Sequence, residues 1–359
     1  MNIYLIAYLS NNLGDDLFID LIVNRYKNFN FSIISYSRCN FKYKNLKIIK
    51  MNFLRRAFNK LLKKVSKSKY DINSFYSNKN DITITIGGSL FMENNNSYNA
   101  LFYNSFKKPY FIIGSNVGPY YSEKYLEFLR ENIFYKAKDI CFRDKKSFNL
   151  FEKEKNVRYA PDLLFSFDLN NYKIINPQKK KAIISVIDIS QKKSQIRNAN
   201  QNLYENFILK IITFFKKNNY VVELISFCND EGDNLAIDRI INKTKDSVER
   251  YSYNGNISEI ITELSTATTI VGTRFHANIL GFIMKKNVIP IIYNDKTKNM
   301  LIDIGFKGRY FDLNDLKKMD INNLSVSDLN YIIDVKKQVK ESNNHFNKID
   351  NYMYKGDLL

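Results

Sequence analysis

One turn in the last third of this 359-residue chain gathers the side chains best equipped for chemistry. Gly272-Thr273-Arg274-Phe275-His276 lies between an apolar run, which reads as a strand, and a run carrying Phe275, Ile279, Phe282 and Ile283 on a helical face. The planar guanidinium of Arg274 suits a carboxylate or a phosphate. His276, one of only two histidines, supplies a proton donor on the same turn. Gly272 and Thr273 sit where strand becomes helix, so the first N–H groups of that helix face the region beyond the strand ends, where an anion is readily held. Alone, such an arginine would form a salt bridge and such a histidine would cap a helix or join a core. Their joint placement after a glycine is what points to a ligand, an anion with an acid beside it.

Further candidates share one property: they lie in turns that follow predicted strands. These are Asn12, Gly14 and Asp15 with Asp16, then Gly87 and Gly88, Asn116 and Gly118, Arg143 and Asp162. In a doubly wound sheet such positions converge on the crevice at the carboxyl edge. Each glycine alone is also ordinary turn chemistry, and Asp15 and Asp16 serve equally as helix caps or as catalytic carboxylates. Several familiar sites are missing. There is no G-x-x-x-x-G-K-S/T loop, no G-x-G-x-x-G after the first strand and no G-x-S-x-G elbow. Cys39, Cys141 and Cys228 are far apart and odd in number, so they offer neither a disulfide framework nor a zinc spacing.

The elements that must position these residues alternate. Ile3 to Tyr8 reads as a strand, followed by a turn, a helix from Leu17, and a strand from Phe31 to Tyr36. Strands ending in the glycine turns follow at Asp81 to Ile86 and Tyr110 to Ile113, with a helix at about Ser122 to Lys136 and strands at Ile140 to Phe142 and Val157 to Ala160. A polar stretch from Asn170 to Lys181 marks a boundary, and the alternation then restarts and runs through the strand Val288 to Ile292. The predicted division is an N-terminal unit over 1–172, a C-terminal unit over 173–323, and a tail over 324–359 with one helix near Leu329 to Val339. Phe53 to Lys67 reads as an amphipathic helix rich in arginine and lysine. It is first an ordinary packed helix with a solvated basic face, and second a docking surface for anionic lipid head groups.

Composition bounds the partners. Lys+Arg 55 against Asp+Glu 36 gives a net charge of +19, which favours polyanions, anionic membranes or acidic small substrates. No nucleic-acid partner is expected, because the basic residues are spread along the chain without a recognition motif. No apolar run approaches a membrane span and no basic leader opens the chain, so the expectation is a cytoplasmic protein, soluble or peripheral.

In these motifs the chain resembles the polysaccharide pyruvyl transferase family. The resemblance rests on N-x-G-D at Asn12 to Asp15, the Gly87-Gly88 turn, G-x-x-x-G-P from Gly114 to Pro119, and R-D-x-x-S from Arg143 to Ser147. It continues with Pro161-Asp162, the R-x-H helix start at Arg274 to His276, and the strand Val288-Ile289-Pro290-Ile291. Ser115 and Thr273 depart from the residues common in that family. The resemblance implies an α/β fold, with two Rossmann-like domains facing a cleft in a GT-B-like glycosyltransferase architecture. It also implies transfer of pyruvate from phosphoenolpyruvate onto a sugar as a ketal, on a cell-surface polysaccharide or its lipid-linked precursor. Arg274, His276, Arg143, Thr273 and Gly272 would then meet the donor, with His276 as general acid and Asp15 or Asp16 as base. Asn12, Gly14, Gly87, Gly88, Asn116 and Gly118 would line the acceptor side or cleft, with no cofactor and no metal. Two rival readings are a GT-B glycosyltransferase using a nucleotide sugar and a non-catalytic member of a polysaccharide assembly complex.

Overall fold

The computed structural model describes residues 1–9, 11–36, 43–93, 97–192, 200–315 and 320–356; Cys39 lies outside them. The chain folds as two compact units. One comprises Met1–Ser10, Phe18–Ser166 and Lys340–Leu359, and the other comprises Asn11–Leu17 and Phe167–Val339. This differs from the division read in the sequence. The tail is not a separate piece, since its last part joins the N-terminal unit, and a short segment near the start of the chain joins the C-terminal unit. Neither crossing has a local signature, because both depend on tertiary packing.

The N-terminal unit contains β1 (Asn2–Ile6), most of α1 (Leu13–Arg25), β2 (Asn30–Ser35), β3 (Leu46–Lys50), α2 (Phe53–Val65), α3 (Ile72–Lys79), β4 (Ile82–Ile86), β5 (Tyr110–Ser115), α4 (Glu123–Leu129), β6 (Asp139–Phe142), α5 (Lys145–Leu150) and β7 (Val157–Tyr159). Its strands form a parallel sheet in the order β3-β2-β1-β4-β5-β6-β7. β4, Ile-Thr-Ile-Thr-Ile, is buried along its whole length, as a central parallel strand covered on both faces must be. Apolar residues of β5, β6, α4 and the turn after α4 build one core, including Tyr110, Ile112, Leu129, Phe134 and Phe142. α2 departs from its first sequence reading, because none of its residues is buried.

The C-terminal unit runs through β8 (Lys181–Ser185), α6 (Gln201–Lys217), β9 (Val221–Ser226), α7 (Asp233–Lys243), β10 (Glu249–Ser252), α8 (Ile257–Ser265), β11 (Thr269–Gly272), α9 (Phe275–Ile283), β12 (Asn287–Ile292), α10 (Asp295–Asp303) and β13 (Phe311–Asp312). Its parallel sheet has the order β10-β9-β8-β11-β12-β13, so both units repeat the strand order of a doubly wound nucleotide-binding fold. α6 buries Tyr204, Phe207, Ile208, Ile211, Ile212 and Phe215 at helical spacing against β8 and β9. Each fully buried side chain of that size contributes about 1.5–3 kcal/mol. Where the sequence predicts one tail helix near Leu329 to Val339, the structure has a 3-10 turn at Val326–Asn330 and then two helices, α11 (Lys336–Ser342) and α12 (Asn347–Lys355), with a short 3-10 turn between them.

The strand order reverses between β8 and β11. In open α/β sheets ligands bind outside the carboxyl ends of the strands at such a switch point. β11 ends at Gly272, so the fold delivers Arg274 and His276 to that position.

Candidate functional site

The site is assembled within the C-terminal unit from two stretches far apart in sequence. The first is the turn that opens α1. Leu13 donates its backbone N–H to Phe227 O at 3.0 Å, and Asn12 forms a bridge with Cys228. The Asn12 side chain accepts from Gly14 N at 3.0 Å, holding the turn that begins the helix. The second stretch is the start of α9. An ideal Cβ placed on Gly14 would come within 1.9 Å of His276 Nδ1, so only glycine lets the first turn of α1 lie against the imidazole. Asp15 and Asp16 are the next two residues. The N-x-G-D turn, read in the sequence as part of the N-terminal unit, thereby lies in the same unit as the R-x-H helix start and against it.

The two aspartates differ. Asp15 is half-buried, whereas Asp16 is buried and accepts a 2.7 Å hydrogen bond from the Tyr253 hydroxyl. Burial pushes the Asp16 carboxyl up to about 7, opposed by the Tyr253 hydrogen bond and reinforced by the neighbouring charge of Asp15. This carboxyl, held near neutrality, lies two residues after the glycine that packs on the imidazole.

Arg274 is not the open anion clamp expected of it. Its guanidinium donates from Nε to Asp233 Oδ2 at 3.0 Å, from Nη2 to Asp233 Oδ1, and from Nη1 to Glu231 Oε2. Burial works against its charge, and attraction to Asp233 and Glu231 outweighs that, so the group is held more firmly protonated than a free arginine. Asp233 also accepts from Phe227 N and Cys228 N, both at 3.0 Å, and so ties the arginine to the end of β9. The donor contacts expected of Gly272 and Thr273 are likewise replaced by packing. The Thr273 hydroxyl is buried against the Tyr204 hydroxyl at 3.1 Å, and Gly272 O accepts from the Asn278 side chain at 3.0 Å.

Arg143 belongs to the N-terminal unit, not to this set. It is buried with Nη1 donating to Asp162 Oδ2 at 3.1 Å and Nη2 to Asn116 Oδ1. Asn116 N in turn donates to Gly88 O at 2.9 Å, and an ideal Cβ on Gly88 would stand 2.4 Å from Arg143 Nη1. Gly87 and Gly88 are buried after β4, and Gly118 is half-buried, its N–H donating to Phe91 O at 2.7 Å. Asp144 caps α5 by accepting from Ser147 N at 2.8 Å, and Ser147 Oγ accepts from Val117 N at 2.8 Å. The R-D-x-x-S, GG, G-P and P-D motifs therefore form one polar lock joining the ends of β4, β5 and β6. The second histidine, His345, is sealed in the same unit with Nε2 against Pro161 O at 2.9 Å, and burial pulls it down to about 3.

Glu231, Asp233 and Tyr253 escaped the sequence reading. For the two carboxylates a signal was present: Asp230, Glu231 and Asp233 cluster directly after the apolar run Val221 to Phe227, where carboxylates have a reason to face an arginine.

A family model described as polysaccharide pyruvyl transferase matches residues 12–295, from the Asn12 that holds the α1 turn to the region just past β12. The chain belongs to the polysaccharide pyruvyl transferase family, whose members are transferases that place pyruvyl groups on polysaccharide. It is 22% identical over 287 residues to the amylovoran biosynthesis protein AmsJ of Erwinia amylovora, covering 73% of this chain and 67% of that protein. Among solved structures it is similar to HepE of Anabaena, crystallised with UDP and glucose, at a TM-score of 0.58 and 11% identity over 97% of this chain and 96% of that one. A UDP-GlcNAc 2-epimerase from Methanocaldococcus jannaschii gives a TM-score of 0.55 at 11% identity, covering 88% and 90% of the two chains. At such identity the likeness concerns the fold alone, and it agrees with the α/β alternation read in the sequence and the GT-B-like class that the family resemblance implies. Among the described residues no helix is long and apolar enough to cross a membrane.

Proposed function

We propose that the protein transfers a pyruvyl group from phosphoenolpyruvate to a sugar of a cell-surface polysaccharide, or of its lipid-linked precursor, as a ketal. The observation that carries this reading is the packing of His276 on Gly14, which sets an imidazole against the turn that carries Asp15 and Asp16. His276 delivers a proton to the methylene carbon of the donor, and C2 becomes oxocarbenium-like. One acceptor hydroxyl adds to C2 while Asp15, the more exposed carboxylate, takes its proton. The bond from C2 to the phosphate oxygen then breaks, a second hydroxyl adds, and phosphate leaves carrying the remaining proton. Protonation makes the electrophile, so the scheme calls on no metal and no cofactor. Asp16 and Tyr253 support the turn from beneath.

The donor's anionic groups are met by the N-terminal turn of α9 and by Arg274. For Arg274 this requires an exchange. The Asp233 side chain is 0% exposed and stays, whereas that of Glu231 is 32% exposed and gives up Nη1 to the donor carboxylate. The AmsJ relative, an amylovoran biosynthesis protein, supports a polysaccharide-building context. The protein works in the cytoplasm, where phosphoenolpyruvate is made.

The test is phosphate release from phosphoenolpyruvate with and without candidate saccharide acceptors. Acceptor-dependent release is expected, and His276→Asn should lower turnover by about 10²–10⁴ with the donor KM little changed. Release that needs no acceptor, or a His276→Asn enzyme that turns over normally, would remove the scheme.

A further inference from the structure

The helix α2 carries an amphipathic pattern whose two sides are placed the wrong way round for packing. Its attachment to the rest of the unit runs through its polar side. Asn59 Oδ1 accepts from Ile72 N at 3.0 Å, and Arg56 Nε donates to Met51 O at 3.0 Å. Phe58, at the margin, reaches a neighbouring ring, that of Phe75, at 5.6 Å. The apolar side is left outward, with Phe53 83%, Leu54 73%, Leu61 58% and Val65 78% exposed. At 100° per residue these four fall within one continuous arc. Lys60 and Lys64 straddle the edge of that arc at Phe53, about 20° outside and inside it. A single exposed leucine needs no explanation, but a whole apolar helix face does.

Charge selects the occupant. From Lys50 to Lys69 the chain has eight basic residues and no acidic one. A second copy of this chain would set that basic run against itself, and like charges at such range repel. An anionic bilayer satisfies both halves of the pattern: the arc enters the acyl boundary and the bordering lysines stay among the head groups. We propose that α2 lies in the plane of an anionic membrane surface and docks the N-terminal unit there. The proposal rests on this surface alone and stands or falls independently of the transferred group.

The test is flotation of the purified full-length protein with vesicles of phosphatidylcholine alone or of phosphatidylcholine with phosphatidylglycerol. Wild type should float with the anionic vesicles, weakly at high salt, and not with the neutral ones. The double variant Leu54→Glu with Leu61→Glu changes only exposed positions, so its melting temperature and circular dichroism should match wild type. Its share bound to anionic vesicles should fall about tenfold or more. Lys60→Gln with Lys64→Gln should weaken binding and reduce its dependence on salt. The proposal is overturned if wild type floats with neither vesicle, or if the acidic double variant floats as well as wild type. It is also overturned if light scattering shows a wild-type dimer that this variant dissociates, because the face would then belong to a second copy.

Discussion

At Arg274 the guanidinium already has two carboxylates, and the identity of the second decides how a donor can bind. Asp233 is fully enclosed and anchored by two backbone N–H groups, so removing it would leave a buried charge without its partner. Glu231 is partly exposed and also lies 3.4 Å from the Asn12 amide, which links it to the turn that carries the aspartates. If Glu231 occupies the place of a donor carboxylate, Glu231→Gln should lower the KM for phosphoenolpyruvate by roughly three- to tenfold. Steady-state phosphate release and the thermal shift produced by the donor would both read the change. A variant that binds the donor no better than wild type would leave Glu231 as a permanent structural partner.

At the level of elements, the decisive contact is between the first turn of α1 and the first turn of α9. Gly14→Ala places a methyl group where the imidazole ring now is, with an ideal Cβ 1.9 Å from Nδ1. His276 must move, and turnover should fall by about two orders of magnitude or more, because misplacing a reacting group by an ångström already costs that much. Thermal unfolding and kinetics on the same sample check this: lost activity with retained folding is the expected result, and an active Gly14→Ala enzyme would separate the glycine from the histidine's role. The helix and strands flanking this contact were legible in the sequence. β12 falls within a residue of its predicted limits, and β11 and α9 lie on either side of the turn where they were read, because long apolar runs punctuated by glycine leave few alternatives. β3 and β10 were not read. Each is an edge strand with mostly exposed or half-buried residues, so neither shows the apolar run or clean alternation that marks a strand. The motif residues were visible too, but not their partners. Sequence order cannot show that Arg143 faces Asp162 and Asn116 while Arg274 faces Asp233, since those pairings arise only when strand ends meet.

At the scale of the whole molecule, Asp16 links the site to stability. Burial raises this carboxyl from 3.8 to about 7, so the folded chain holds a proton there that the unfolded chain has already released. Wild type therefore loses stability at this position as pH rises from about 4 to about 7, and the loss is complete above that range. Asp16→Asn removes the titration. Its stability relative to wild type should grow by roughly 3–5 kcal/mol across that window and then level off. Urea unfolding between pH 4 and 8 measures the difference, and a constant offset at every pH would mean that the carboxyl titrates normally.

The allocation of Asn11–Leu17 to the C-terminal unit, while the rest of α1 is N-terminal, constrains how this fold can be rearranged. No single uninterrupted fragment that stops at the boundary after Ser166 owns both the imidazole and its aspartates. A chimaera exchanging halves with a relative by one cut would inherit its acid from one parent and its base from the other, and would have to carry over that short foreign peptide as well.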